Sequence, residues 1–468
     1  MDTVKAVKDW AVLPYNSKKI SGHFLVSNLL GCWDVLDPQE FRALEQFSLD
    51  EASPLFDRLY DKGLIVKEDN VSRMIAEFRS LHSHLFTDAS LHIVVLTTRC
   101  NIACRYCQAR VDDPRDMTLD VAAQVVTTAL NRRNPNINLE FQGGEPLLNW
   151  DVMKSLIESV RGSNIPNKNV AINLVTNGLL LDDQKTEFLL DHHVGICISL
   201  DGPEAVHNTN RVFGNGQGTY HDVKEAVQRL KKARESRGRN DEAYLLPTLS
   251  QDSLKSAKEI IDEYVEWGVA SVALRPMNKI GGARCHWDQI GYDPEEFNRF
   301  WAEAVDYMLD LNRRGINIKE RMASVMLMKI LRKRNPGFVD LMSPCGAGRS
   351  VMTYMPNGDI YPCDEARMAS RDMFRLGNVL EDSYEDIIKS PKFFSIFKSS
   401  LMDFWDYNSA FSPWMGTCPV LNFLSQGNLV PRITQTPMYK IYRFQFEYLF
   451  KKMIEDPDTR EIFDQWAV

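Results

Sequence analysis

Through the middle of the chain, apolar and polar positions follow two alternating rhythms. Short apolar runs at 91–97, 138–142, 169–176, 195–200, 243–249 and 270–275 predict strands. Between them, residues 119–132, 150–161, 183–191, 220–233 and 254–267 repeat apolar side chains at three- and four-residue spacing, as amphipathic helices do. Strand–helix alternation over residues 91–315 implies a parallel sheet. Six such repeats predict an α/β fold, a partial (β/α)6 TIM-like barrel with its site at the C-terminal strand ends.

Residues 1–90 predict a small module of their own. Two strands, 23–28 and 32–37, flank the turn Leu29-Leu30-Gly31. Asp37-Pro38-Gln39-Glu40 then opens a helix, with Asp37 as N-cap, proline first and Glu40 placed for a capping box. Ser53-Pro54 opens a second helix, Gly63 ends it, and Leu64-Ile65-Val66 returns as a strand. This order suits a winged-helix-like module; the plainer alternative is a cap on the barrel. Residues 316–468 look mixed and irregular, and the charged run 234–241 reads as a solvated loop.

Composition narrows the class. With 468 residues and 44% hydrophobic content, the chain can bury a large core spread over about three domains. The balance of 55 basic against 63 acidic residues, net −8, argues against a nucleic-acid or anionic-membrane partner. The first ten residues lack the apolar core of a secretion signal. No run approaches the ~18 apolar residues of a membrane span. Nine cysteines, an odd number, then read as reduced thiols and metal ligands rather than disulfides. The expectation is a cytoplasmic, oxygen-sensitive enzyme.

Cys100, Cys104 and Cys107 follow the first strand directly. Their Cys-x3-Cys-x2-Cys spacing puts three thiolates on one loop. These can ligate three irons of a [4Fe–4S] cluster and leave the fourth open to chelate S-adenosylmethionine. A zinc knuckle would close with four ligands, and no fourth Cys or His lies near in sequence. Later strands also end in candidate ligand residues. Gly143-Gly144-Glu145-Pro146 lets main chain approach a ligand closely, with carbonyls free to receive an ammonium. Thr176-Asn177-Gly178 and Ser199-Leu200-Asp201-Gly202-Pro203 offer hydroxyl, amide and carboxylate groups for ribose or ammonium. Arg211 could pair a carboxylate bidentately, and Arg275 is a further candidate. Each alone is also an ordinary turn or surface residue; their placement at successive strand ends carries the weight.

In this order the motifs resemble the radical S-adenosylmethionine superfamily over about residues 91–275. The resemblance implies that Cys100, Cys104 and Cys107 hold the catalytic [4Fe–4S] cluster. It places Gly143, Gly144, Glu145 and Pro146 along the methionine amino group, and Asn177, Ser199 and Asp201 near the ribose or amino-acid end. Arg211 would face the carboxylate and Tyr106 would sit beside adenine. The implied reaction is reductive cleavage to methionine and a 5′-deoxyadenosyl radical that abstracts a substrate hydrogen, with flavodoxin or ferredoxin as external donor.

The C-terminal part resembles the SPASM-type auxiliary-cluster domain: Cys345, twelve residues, Gly358, four residues, Cys363, and later Gly416-Thr417-Cys418-Pro419. That family carries enough cysteines for two clusters. Here Asp406, Ser409 and Met415 stand where further cysteines would be, and Met438 stands near the last. The resemblance therefore implies at most one auxiliary [4Fe–4S] cluster, on Cys345, Cys363 and Cys418, with an open or non-cysteine fourth position. The other reading is a decayed domain with inert buried thiols.

The overall layout is most similar to peptide-modifying maturases of the His-Xaa-Ser type. Phe141–Asn149, with its Gly-Gly-Glu-Pro centre, and Tyr361-Pro362-Cys363-Asp364-Glu365 support this. The likeness implies a ribosomally made precursor peptide whose leader adds a strand to the N-terminal module. The alternatives are maturation of a folded protein, as in sulfatase-activating relatives, and a non-catalytic iron–sulfur scaffold. Intact cofactor-pocket motifs oppose the scaffold. No catalytic acid or base stands out among the 63 carboxylates.

Overall fold

The computed structural model describes residues 9–110, 113–163, 165–238, 244–369, 371–401 and 408–468. Its centre is an eight-stranded sheet. The strands are β1 (Leu91–Thr97), β2 (Asn136–Gly143), β3 (Asn169–Thr176), β4 (Val194–Ser199), β5 (Tyr244–Leu246), β6 (Val351–Tyr354), β7 (Asp359–Tyr361) and β8 (Gly377–Asn378). Their order is β5-β4-β3-β2-β1-β6-β7-β8. The six strands from β5 to β6 run parallel, β7 pairs antiparallel with β6, and β8 pairs antiparallel with β7.

Side chains alternate across a strand, and β1 uses both faces. Val94 and Leu96 join the large core that includes Val121, Val125 and Met153 of the covering helices. Ile93 and Val95 instead pack in a second cluster with Cys345, Cys363 and Cys418. The C-terminal part thus extends the same sheet, and its cysteines lie on one face of β1.

The expected sixth strand departs from this sheet. Ser271–Val272 pairs in parallel with Lys319–Glu320, as a separate two-stranded sheet. The main chain beyond Val272 is spent otherwise. The Leu274 N–H donates to Glu320 Oε1 at 3.1 Å, the Arg275 N–H turns back to the Ala273 carbonyl, and Pro276 has no N–H to give.

In the N-terminal module, Tyr15–Ile20, His23–Asn28 and Trp33–Leu36 form an antiparallel sheet in that order. Asp37 caps the helix Pro38–Glu45 in a full capping box. Gly63 ends Pro54–Lys62 at φ +81°, where a Cβ would also lie 2.8 Å from Cys32 Sγ. One sheet face is built into the body. Ser27 Oγ donates to the Ala410 carbonyl at 2.7 Å, and Trp33 packs edge-on against Phe450.

The rest of the C-terminal part is more helical than its pattern suggests, with Arg321–Arg332, Pro437–Glu455 and Pro457–Trp466. Of the charged run 234–241, residues 234–235 end the helix Tyr220–Glu235, and 239–241 lie outside the described residues, as do Ala243 and Asp406. No helix among the described residues is long and apolar enough to cross a membrane.

Candidate cofactor sites

The loop carrying Cys100, Cys104 and Cys107 leaves the C-terminal end of β1 and is pinned on both sides. The Gly144 N–H donates to the Thr97 carbonyl at 2.9 Å and the Glu145 N–H to the Arg99 carbonyl at 2.8 Å. A Cβ on Gly143 or Gly144 would run into those same carbonyls, so the glycine pair is required by close approach. Across the loop, the Ala103 and Arg105 N–H groups donate to the Val212 and Asn210 carbonyls at 2.8 and 3.0 Å. Gly144→Ala should therefore displace the loop and cut its iron retention and 5′-deoxyadenosine formation at least tenfold. Gly162→Ala, at a position with open space, should leave both unchanged. Iron analysis and product chromatography check the pair.

Glu145 is fully buried and its carboxylate is spent on the protein. Oε1 accepts from Thr176 Oγ1 at 2.7 Å and the Leu147 N–H at 3.1 Å, and Oε2 accepts from the Asn177 N–H at 2.8 Å. Burial pushes its pKa up to about 7, against the pull of these donors. It ties the end of β2 to the end of β3. Asn177 Nδ2 in turn donates to Asn101 Oδ1 at 2.7 Å and reaches Cys100 Sγ at 3.9 Å.

A second network backs Cys104. Asp201, with no exposed surface, accepts from Tyr106 Oη at 2.5 Å, Arg211 Nε at 3.1 Å and the Thr248 N–H at 2.9 Å. The Arg211 guanidinium lies 5.4 Å from the Tyr106 ring centroid, and Nη1 stands 4.0 Å from Cys104 Sγ. Burial pushes the Cys104 thiol up to about 12, and Arg211 opposes that. Pro146 is buried at the head of a short turn, and Ser199 is half-buried at the end of β4. Arg275 lies apart from this group, paired with Asp340 at 3.3 Å and Glu365 at 3.7 Å. The Asp201–Tyr106–Arg211 network joins residues about a hundred positions apart, and no local signal in the sequence announces it.

Cys345, Cys363 and Cys418 are all buried in one apolar cluster with Ile93 and Val95. Burial raises all three thiols. The main-chain N–H groups of Ala347, Ala366 and Leu421 respectively pull the other way, favouring the charged sulfur. Cys363 and Cys418 directly precede the helices Asp364–Ala369 and Pro419–Gln426, whose N-terminal N–H groups and dipoles favour negative charge. Hydrogen bonds to sulfur are how proteins settle anionic cluster ligands. Of the other candidate positions, Met415 is buried in the main core. Ser409 Oγ accepts the Phe411 N–H at 3.3 Å.

No three His, Cys, Asp or Glu among the described residues converge as ligands of a single metal ion would. A cubane is several ångströms wide, and its cysteines stand correspondingly apart. Each triad offers three thiol donors with N–H or cationic groups near the sulfurs, the first on a partly open loop and the second buried, and so fits such a cluster. Beside Cys418 lies a cavity of about 560 Å³, lined also by Met277, Trp287, Tyr292, Asn422 and Tyr439.

The radical SAM superfamily profile matches residues 94–274, and an iron–sulfur cluster-binding domain, SPASM, matches residues 345–418. This chain is an enzyme with a radical SAM domain and a SPASM domain. Among its relatives, the cysteine-type anaerobic sulfatase-maturating enzyme of Clostridium perfringens is 25% identical over 318 residues, 65% of this chain and 80% of that one. The solved structure of native anSMEcpe with bound AdoMet and Kp18Cys peptide matches with TM-score 0.66 at 21% identity, over 80% of this chain and 99% of that one. Streptococcus suis SuiB bound to precursor peptide SuiA matches with TM-score 0.55 at 15% identity, over 89% of this chain and 97% of that one. A radical SAM domain implies a [4Fe–4S] cluster with S-adenosylmethionine, and a SPASM domain implies auxiliary iron–sulfur clusters.

Proposed function

We propose that this radical SAM enzyme modifies a ribosomally made precursor peptide, whose leader docks on the N-terminal module. The observation that carries this reading is the module's unsatisfied surface. Trp33–Leu36 is an edge strand that pairs on one side only among the described residues. Elsewhere in residues 1–90, Leu29, Phe47, Val71, Ile75 and Phe86 are large apolar side chains left exposed. An edge strand in a module that also exposes apolar side chains suits strand addition by an extended peptide. SuiB, which binds a precursor peptide, overlaps more of this chain than anSMEcpe does, in keeping with a shared extra module.

In this reading β1–β5 and their helices are an incomplete barrel, and the preceding residues a winged-helix-like module. Cys100, Cys104 and Cys107 hold the catalytic cluster, and Cys345, Cys363 and Cys418 hold a single auxiliary one. When bound, cluster and S-adenosylmethionine supply a 5′-deoxyadenosyl radical for hydrogen abstraction, with an electron from flavodoxin or ferredoxin. This chain's residues orient that chemistry: the Gly143–Gly144 main chain and Asn177 border the loop at Cys100, and Arg211 backs Cys104. The cavity beside Cys418 and Met277 takes the peptide segment to be modified.

Ile75 is 54% exposed on the helix Val71–Leu81, so its replacement should not disturb folding. Ile75→Asp should weaken binding of any precursor peptide found encoded beside this gene at least tenfold, with uncoupled cofactor cleavage intact. Unchanged affinity by fluorescence anisotropy would refute leader docking here. The second reading, maturation of a folded sulfatase, is favoured by the sequence likeness to the Clostridium perfringens enzyme. It predicts conversion of Cys to formylglycine in a sulfatase peptide with no leader present, which mass spectrometry distinguishes.

A further inference from the structure

Lys329 is 5% exposed on the helix Arg321–Arg332, and among the described residues no carboxylate pairs with it. Its Nζ donates to the Leu341 carbonyl and, at 2.7 Å, to the Trp414 carbonyl. Each carbonyl lies four residues before a cysteine of the C-terminal triad, Cys345 or Cys418. The two segments are in close contact there, because a Cβ on Gly416 would meet the Asp340 and Met342 backbone. The titratable groups facing Lys329 from other elements are His82 and His84. Both are pushed down to about 4, first by burial and in part by Lys329 itself. His84 also bonds the Pro344 carbonyl beside Cys345, at 2.9 Å. Asp340 and Glu365, the acids that act on the triad, are taken up by Arg275.

A lone buried ammonium is expensive unless an anion offsets it. Three thiolates on a dipositive [4Fe–4S] core leave a net negative charge, and reduction adds another. We infer that Lys329 is a positioning residue of the auxiliary site, clamping the Cys345 and Cys418 segments together and supplying the cation that balances the cluster they hold. This rests on the reading that the triad carries a cluster.

The test is a stability cycle read by calorimetry under anaerobic conditions. In the iron-loaded wild-type background, Lys329→Met should lower Tm by several degrees. In the Cys345/Cys363/Cys418 triple-alanine background, where the cation has lost its partner, the same change should raise it. A change of the same sign in both overturns the proposal. Redox titration by electron paramagnetic resonance gives a second readout, in protein whose Cys100, Cys104 and Cys107 are alanine. Lys329→Met should shift the auxiliary potential to more negative values, and Lys329→Arg should hold it near wild type. If Lys329→Met fails to fold, a Lys329→Arg potential well below wild type overturns the proposal, and an unshifted one supports it. Iron analysis of the wild type separates the two claims. Iron for the radical cluster alone removes the auxiliary site itself, whereas a loaded site with no sign reversal removes only the role of Lys329.

Discussion

Replacing Cys100, Cys104 and Cys107 together by alanine abolishes 5′-deoxyadenosine production under dithionite. That is the expected result because the three thiols share one loop, pinned through Gly144 and Glu145 on one side and Val212 and Asn210 on the other. Each thiol is also within the field of another, Cys100 with Cys107 and Cys104 with both. Without them no iron remains at the end of β1 to bind S-adenosylmethionine. The effect should be complete rather than graded, since the electron has no other entry to the cofactor. The fold should persist, because Cys100 is exposed and only Cys104 packs against the small apolar cluster of Tyr106, Met277 and Ile290. Circular dichroism matching wild type and a silent product chromatogram check it. Product at the wild-type rate would move the catalytic site elsewhere.

The second large effect is in iron content. One auxiliary cluster beside the catalytic one means ~8 iron per chain, two would mean ~12, and none ~4. The middle value is expected for anaerobically reconstituted protein. Cys345, Cys363 and Cys418 sit together in one buried cluster, where burial alone would keep them neutral, and main-chain N–H groups at Ala347, Ala366 and Leu421 oppose that, as cluster ligands need. The triple-alanine variant should fall to ~4 iron and lose peptide modification while still cleaving cofactor. Wild-type protein already at the lowest value would favour a decayed domain.

Much of this was legible where a single residue has one physical use. Asp37-Pro38-Gln39-Glu40 could only start a helix well, and the capping box is present in full. Gly63 stops the next helix with positive φ. Leu91–Thr97 and Asn169–Thr176 run as strands over the expected residues, since apolar runs of that length between polar turns leave little choice. Partners were less visible. Ser271–Val272 is extended as expected, but nothing local says that Lys319–Glu320 would take it. Tyr15–Ile20 is mostly polar and shows no alternation, because one face meets water and the other meets the helix Pro437–Glu455 through ion pairs such as Lys18–Glu447. That helix was hidden as well. Its aromatics Tyr439, Tyr442, Phe446 and Phe450 are buried among several neighbours, which blurs a one-sided stripe. At the site, the cysteines announced themselves by spacing. Asp201, Tyr106 and Arg211 each stood out by motif, but not the fact that the acid would bind the other two, and the lysine beneath the second triad is an ordinary residue made unusual only by burial.

The pairing of β6 with β1 has a consequence for how a long substrate could enter. One face of β1 packs on the second thiol triad, and its end carries the first. Main-chain ladders therefore hold the two thiol triads against one continuous sheet. On the peptide-modifying reading proposed above, a substrate would be threaded past a fixed pair of stations rather than grasped by halves swinging shut, so the residue that reacts would be chosen by how far the chain is fed in.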